Sequence, residues 1–129
     1  MKVFVYGTLK RGFWNHYLLE KAKFLGNATL DGSHALLDAG FPVCVPMATG
    51  KAVVTGEVYE VTRAEARRLD RLEGNGRMYH RRRQKVTYAT AEVGKAWVYI
   101  GDNNAFRYNR LGAQWYKGDR FEYDGKRKA

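Results

Sequence analysis

Apolar and polar positions along this chain alternate in short runs cut by glycines, a pattern that predicts many brief strands and few helices. Val3-Phe4-Val5-Tyr6 opens as a strand of β-branched and aromatic residues and runs straight into a loop bracketed by Gly7 and Gly12. Asn15 is placed to cap a short helix through His16-Tyr17-Leu18-Leu19-Glu20-Lys21, offering Leu18, Leu19 and Ala22 to the core. Residues 24–31, 34–38 and 43–47 read as short strands or loops, broken by Gly26, Gly32, Gly40 and Pro42. The longest strand signal spans Ala52 to Val61, where Gly56 implies a bulge or a close approach of another chain segment.

The clearest helix follows. Thr62 and Glu65 have capping-box spacing, and Ala66, Leu69 and Leu72 recur on one face of Arg63 to Leu72. Gly74 and Gly76 stop it, leaving Glu73 at its last turn. Tyr79 to Tyr88 and Glu92 to Ile100 then form a hairpin turning near Thr90-Ala91, with Trp97 and Tyr99 on the same side. Beyond Gly101, Asp102-Asn103-Asn104 reads as a loop, and Trp115, Tyr116, Phe121 and Tyr123 as anchors of a packed tail. There is no internal repeat. Mostly β with two helices predicts an α+β fold, a small mixed sheet or barrel flanked by helices.

Size and composition narrow the class. A chain of 129 residues predicts one domain, 1–129, with a real core, and its 45% hydrophobic and 28% charged residues argue against global disorder. No apolar run approaches the length of about 20 residues that spans a bilayer, and Met1-Lys2-Val3-Phe4 does not open a signal peptide, so the cytoplasm is the expected address. A single cysteine, Cys44, leaves no intramolecular disulfide and no thiolate-rich metal site. The formal net charge of +10 fits nucleic acid, anionic substrates or a soluble basic surface. Its clusters are Arg81-Arg82-Arg83 with Lys85 and the tail Lys126-Arg127-Lys128; on a strand, Arg81, Arg83 and Lys85 share one face, either solvated or able to track phosphates.

Chemistry has few candidate homes. Backbone N–H groups freed where the first strand ends can form an anion-binding concavity, or the loop merely connects two elements. Glu73 lies at the negative end of a helix dipole, which raises its pKa; burial among Leu69, Leu72 and aromatic neighbours acts the same way, toward the range useful for proton transfer. The alternative is an exposed glutamate beside Arg71 or Arg77. Cys44 with His16 or His34 lacks a nucleophile elbow and an orienting acid, and the three histidines make no metal pair. Gly7 to Gly12 is neither G-x-G-x-x-G nor a Walker sequence. Tyr6, Tyr79 and Tyr99 stand at strand ends, with hydroxyls that either meet a polar ligand or serve packing.

Taken together, Val3 to Gly12 with Asn15-His16, then Gly56-Glu57-Val58-Tyr59, Leu69-Asp70-Arg71-Leu72-Glu73-Gly74 and Tyr79-His80-Arg81, resemble the γ-glutamylcyclotransferase-like (AIG2-like) family in order and spacing. The opening decapeptide and Asn15-His16 are most similar to the γ-glutamylamine cyclotransferase branch, while Lys117-Gly118-Asp119-Arg120-Phe121 resembles the ends of small bacterial members. The resemblance implies a small mixed β-barrel-like sheet with flanking helices and a cavity floored by the Tyr-Gly-Thr-Leu loop. It implies conversion of a γ-glutamyl amine or γ-glutamyl peptide to 5-oxoproline and a free amine, with Glu73 as base then acid. It places Tyr6, Gly7, Thr8 and Leu9 around the γ-glutamyl group, with Tyr79 and Tyr99 lining the cavity, and it calls for no metal or cofactor. The partner implied is a small-molecule γ-glutamyl substrate, with no membrane. A non-catalytic binding or adaptor domain that keeps the cavity, and a basic nucleic-acid-binding protein, are the competing readings.

Overall fold

The computed structural model describes residues 1–31, 34–46, 52–74, 76, 78–101 and 115–125. The expected loop at Asp102-Asn103-Asn104, the basic tail Lys126-Arg127-Lys128 and Gly32 lie outside the described residues. Among the described residues there are eight strands, β1 (Lys2–Val5), β2 (Lys23–Leu30), β3 (His34–Asp38), β4 (Pro42–Pro46), β5 (Val53–Glu60), β6 (Tyr79–Tyr88), β7 (Val93–Gly101) and β8 (Arg120–Phe121), and one α-helix, α1 (Arg63–Glu73). Antiparallel pairings run β1-β5-β2-β6-β7, and a parallel pairing of β1 with β7, through Val3 with Trp97 and Phe4 with Val98, closes a five-stranded mixed barrel. The β3–β4 hairpin attaches to β7 in parallel through Cys44 and Ile100. Among the described residues no helix is long and apolar enough to cross a membrane.

Period-two alternation sorts the side chains into two layers. Phe4 of β1 and Tyr6 just after it enter the barrel interior with Val54, Val58, Val86, Val98 and Trp115. Val3 and Val5 face the other way, joining Leu69 and Ala66 of α1 with Tyr59, Tyr79 and Tyr99. Each such fully buried aliphatic or aromatic side chain contributes about 1.5–3 kcal/mol. Trp115, Phe121 and Tyr123 do anchor the tail on the interior cluster, whereas Tyr116 remains half-exposed against the Phe121 ring at 5.2 Å.

The capping box forms as its spacing predicts: the Glu65 amide donates to Thr62 Oγ1 at 3.1 Å and the Thr62 amide to Glu65 Oε1 at 2.8 Å. Gly74, at φ 57°, closes the helix in the left-handed region, which only glycine enters cheaply. Two expectations change. The segment after Asn15 is a 3₁₀ turn over His16–Leu19 and not an α-helix, and the Asn15 side chain does not cap it. Asn15 Nδ2 donates instead to Thr8 Oγ1 at 2.9 Å, so the first loop takes the side chain that the helix would have used. Leu72, expected on the buried face of α1, is 42% exposed, because the helix ends beside a cavity and not against the sheet.

Glycines act at two close approaches and one bulge. A Cβ on Gly56 would strike the Val5 carbonyl oxygen and lie 2.6 Å from Cζ of Phe4, so β1 and its aromatic ring lie directly over β5 here. The bulge falls in β2, where the register shifts between Phe24 and Gly26.

Candidate active site

The loop leaving β1 is held through its carbonyls. The Lys10 amide donates to the Gly7 oxygen at 3.0 Å, the Asn15 amide to the Thr8 oxygen at 3.1 Å, and His16 Nδ1 to the Leu9 oxygen at 2.9 Å. A carbonyl only accepts, so Nδ1 of His16 carries the proton. The amides of Gly7, Thr8 and Leu9, by contrast, have no acceptor among the described residues. Three N–H dipoles without acceptors, on a loop whose carbonyls are tied down, make an electropositive wall suited to an anion. Gly7 also lies tight against β4, since a Cβ there would sit 2.7 Å from Cγ of Pro42.

The loop lines a cavity of about 330 Å³ that it shares with Glu73, Tyr6, Tyr79 and Tyr99. All seven residues singled out in the sequence, Tyr6, Gly7, Thr8, Leu9, Glu73, Tyr79 and Tyr99, therefore line one space, although they come from the loop after β1, from α1, from β6 and from β7. Helix α1 packs on the β1 side of the barrel, so its last residue reaches the opening where β1 ends. Burial pushes the Glu73 carboxyl up from its ordinary value to about 7. No charged partner contributes, and among the described residues no side chain hydrogen-bonds it, so Arg71 does not hold it as an exposed glutamate; Arg77, the other candidate neighbour, lies outside the described residues.

The tyrosines play unequal parts. Tyr6 Oη donates to the Tyr99 carbonyl at 2.7 Å and accepts from the Cys44 amide at 3.2 Å, so it fastens β1 to β7 and β4 while its ring lines the cavity. Tyr99 Oη donates to Asp70 Oδ1 at 2.6 Å. Arg81 grips the same carboxylate through Nη1 at 3.2 Å and lies over the Trp97 ring, 5.1 Å from its centroid. Burial, then the neighbouring Glu73 charge, raises the Tyr79 pKa; burial, then Asp70, raises that of Tyr99. All three phenols thus stay protonated at neutral pH, and Glu73 is the carboxylate of this lining that titrates there.

Asp70 carries no role in the sequence reading of the helix motif, yet two signals point to it. It stands one turn before Glu73 on α1, and the β6–β7 register sets Arg81 opposite Tyr99. The basic strand is accordingly split in use: Arg81 is internal to this network and Lys85 Nζ lies 3.7 Å from Asp31, while Arg82 and Arg83 are exposed. Cys44 is fully buried, with its thiol pKa pushed up by burial, and behaves as a small hydrophobe. Among the described residues no group of three His, Cys, Asp or Glu side chains stands together to hold a metal ion.

A profile of the family described as "Gamma-glutamyl cyclotransferase, AIG2-like" matches residues 3–121. A protein of Methanocaldococcus jannaschii is 36% identical over 99 residues, covering 76% of this chain and 82% of the relative. The Escherichia coli protein named gamma-glutamylcyclotransferase family protein YtfP is 32% identical over 100 residues, covering 78% of this chain and 81% of its own. The crystal structure of an AIG2-like protein from Mus musculus superposes with a TM-score of 0.73 at 26% identity, covering 98% of this chain and 97% of that one. By its sequence over most of its length and by its barrel, this chain belongs to the gamma-glutamyl cyclotransferase, AIG2-like family.

Proposed function

We propose that this protein converts a γ-glutamyl amine or γ-glutamyl peptide into 5-oxoproline and a free amine, with Glu73 moving the protons. The observation that carries the reading is the shared cavity. One carboxyl with a pKa raised to about 7 stands in the same space as the acceptor-free amides of Gly7, Thr8 and Leu9.

Few residues are needed, because nucleophile and electrophile belong to one molecule. The α-nitrogen attacks the γ-carbonyl carbon, a C–N bond closes the five-membered lactam, and the C–N bond to the departing amine breaks. Two protons leave the α-nitrogen and two arrive on the departing nitrogen; the Glu73 carboxylate takes and returns them one at a time. No water is consumed. Holding the substrate folded so that the reacting atoms touch supplies effective molarities of roughly 10⁵ M or more in well-oriented cases. The Gly7 to Leu9 amides bind the substrate α-carboxylate or the oxyanion that develops on the γ-carbonyl, where one well-aimed donor contributes about 3 kcal/mol. Tyr79, kept protonated, donates to the substrate, while Tyr99, whose one hydroxyl proton goes to Asp70, presents its oxygen as an acceptor and its ring as a wall, with Asp70 and Arg81 fixing its direction.

The base must be charged to begin, so kcat/KM is expected to fall about tenfold per pH unit below about 7 and to level off above it. A base with an ordinary carboxylate pKa would instead keep the rate flat down to about pH 5. Incubation with a panel of γ-glutamyl compounds, read by mass spectrometry for 5-oxoproline, tests the function itself. Release of 5-oxoproline with the matching amine supports it, and no release from any member of the panel rejects it.

A further inference from the structure

Exposed large apolar side chains are concentrated at one place on this protein. Among the described residues seven are exposed, and four of these, Trp14 at 76%, Leu72 and Met78 at 42% and Phe41 at 37%, line the cavity that holds Glu73. They arrive from four separate segments: the loop after β1, the β3–β4 turn, the last turn of α1 and the link from α1 to β6. Packing does not require them there, since the barrel interior and the layer under α1 are complete without them. Apolar surface gathered around an opening marks a place where apolar matter binds.

Charge sharpens the choice of occupant. The described cavity lining contains no Lys, Arg, His or Asp, and its one ionisable acid is Glu73. A departing amino acid would bring its own carboxylate into a mouth whose described lining offers it no cation. Placing a charge against apolar walls without a partner is costly. An uncharged aromatic or branched aliphatic group would cover Trp14, Leu72, Met78 and Phe41 and take them out of water.

We infer that the mouth formed by Trp14, Phe41, Leu72 and Met78 is the subsite for the departing half of the substrate, and that this half is an apolar primary amine. The inference rests on the cyclotransferase reading and narrows it to one substrate class. The amide-lined end takes the polar glutamyl group, and the apolar mouth takes everything beyond the scissile bond.

The test compares γ-glutamylbenzylamide with γ-glutamylglycine and γ-glutamyl-ε-lysine, measuring 5-oxoproline release by the wild type and by Trp14→Ala and Leu72→Ser. The expected result is a kcat/KM at least about tenfold higher for the benzylamide, within the range an apolar pocket gains from added hydrocarbon. Both variants should bring that ratio close to one by slowing the benzylamide more than the other two. Trp14 and Leu72 are exposed enough that circular dichroism should show both variants folded. Release from all three compounds with a wild-type ratio near one, or one favouring the charged amines, overturns the inference and leaves the cyclotransferase reading standing. The same ratio, together with a concentration-dependent dimer in sedimentation that Trp14→Ala abolishes, overturns it in favour of a second copy of the chain at this rim. Release from none of the compounds rejects the cyclotransferase reading and the inference with it.

Discussion

Glu73→Gln is expected to lower kcat by about 10²–10⁴-fold, the usual contribution of a positioned proton-transfer group, while leaving the barrel intact. Gln keeps the length and shape of the side chain and loses only the titrating proton. The same substitution should make the protein more stable in alkaline solution. In the unfolded chain Glu73 loses its proton near its ordinary value of 4.5, and in the folded protein near 7. Between these values the folded state holds a proton that the unfolded state has lost, so stability falls as pH rises from about 4.5 to about 7 and remains lower above that. At one pH unit to about 1.4 kcal/mol, relief of a buried charge should stabilise Glu73→Gln over the wild type by about 1–3 kcal/mol at pH 8, with little difference at pH 4. Urea unfolding of both proteins at the two pH values measures this. A carboxylate placed for stability, paired and ionised, would give the opposite sign: loss of stability at pH 8 on conversion to Gln.

Gly56→Ala should be among the most damaging conservative changes in the fold, at about 1–3 kcal/mol of stability or more. The added methyl meets the Val5 carbonyl oxygen and the Phe4 ring, which lies 2.6 and 2.8 Å from it at the nearest carbons. Phe4 is fully buried in the barrel interior and cannot swing away, and Val5 is paired with Glu57 in the β1–β5 ladder. Relief therefore requires β1 to shift off β5, at a cost typical of overpacked cores. The loop that follows β1 would move with it, so activity should fall together with stability. A midpoint of denaturation within about 0.5 kcal/mol of the wild type would show that β1 does not lie as close to β5 as described.

Residues whose neighbours in sequence decide their conformation were legible from the chain alone. Thr62 and Glu65 specify the start of α1, Gly74 its end, and the alternation in Val3 to Tyr6 and Tyr79 to Tyr88 specifies strands, because caps and period-two burial are local. Glu73 could be located in the same way, as the last helical residue before glycine. The Asn15 segment was not legible, because the same side chain serves a helix cap or a distant loop, and the bond to Thr8 decided between them only in the folded chain. The parallel closure of β1 onto β7 joins strands more than 90 residues apart, and no local pattern records it. Leu72 looked like core because helical spacing shows which face a residue occupies but not what that face meets. The pairing of Arg81 with Asp70 was hidden for the same reason: a run of arginines reads as a solvated face until the helix that covers part of it is placed.

The measurement closest to the central claim is the titration of the Glu73 side-chain carboxyl by carbon-detected magnetic resonance from pH 4 to pH 9, assigned by its disappearance in Glu73→Gln. A midpoint near 7, matching the acid limb of kcat/KM, is the expected result. A midpoint near 4.5 would place the carboxyl in open water and contradict its part in the ring closure.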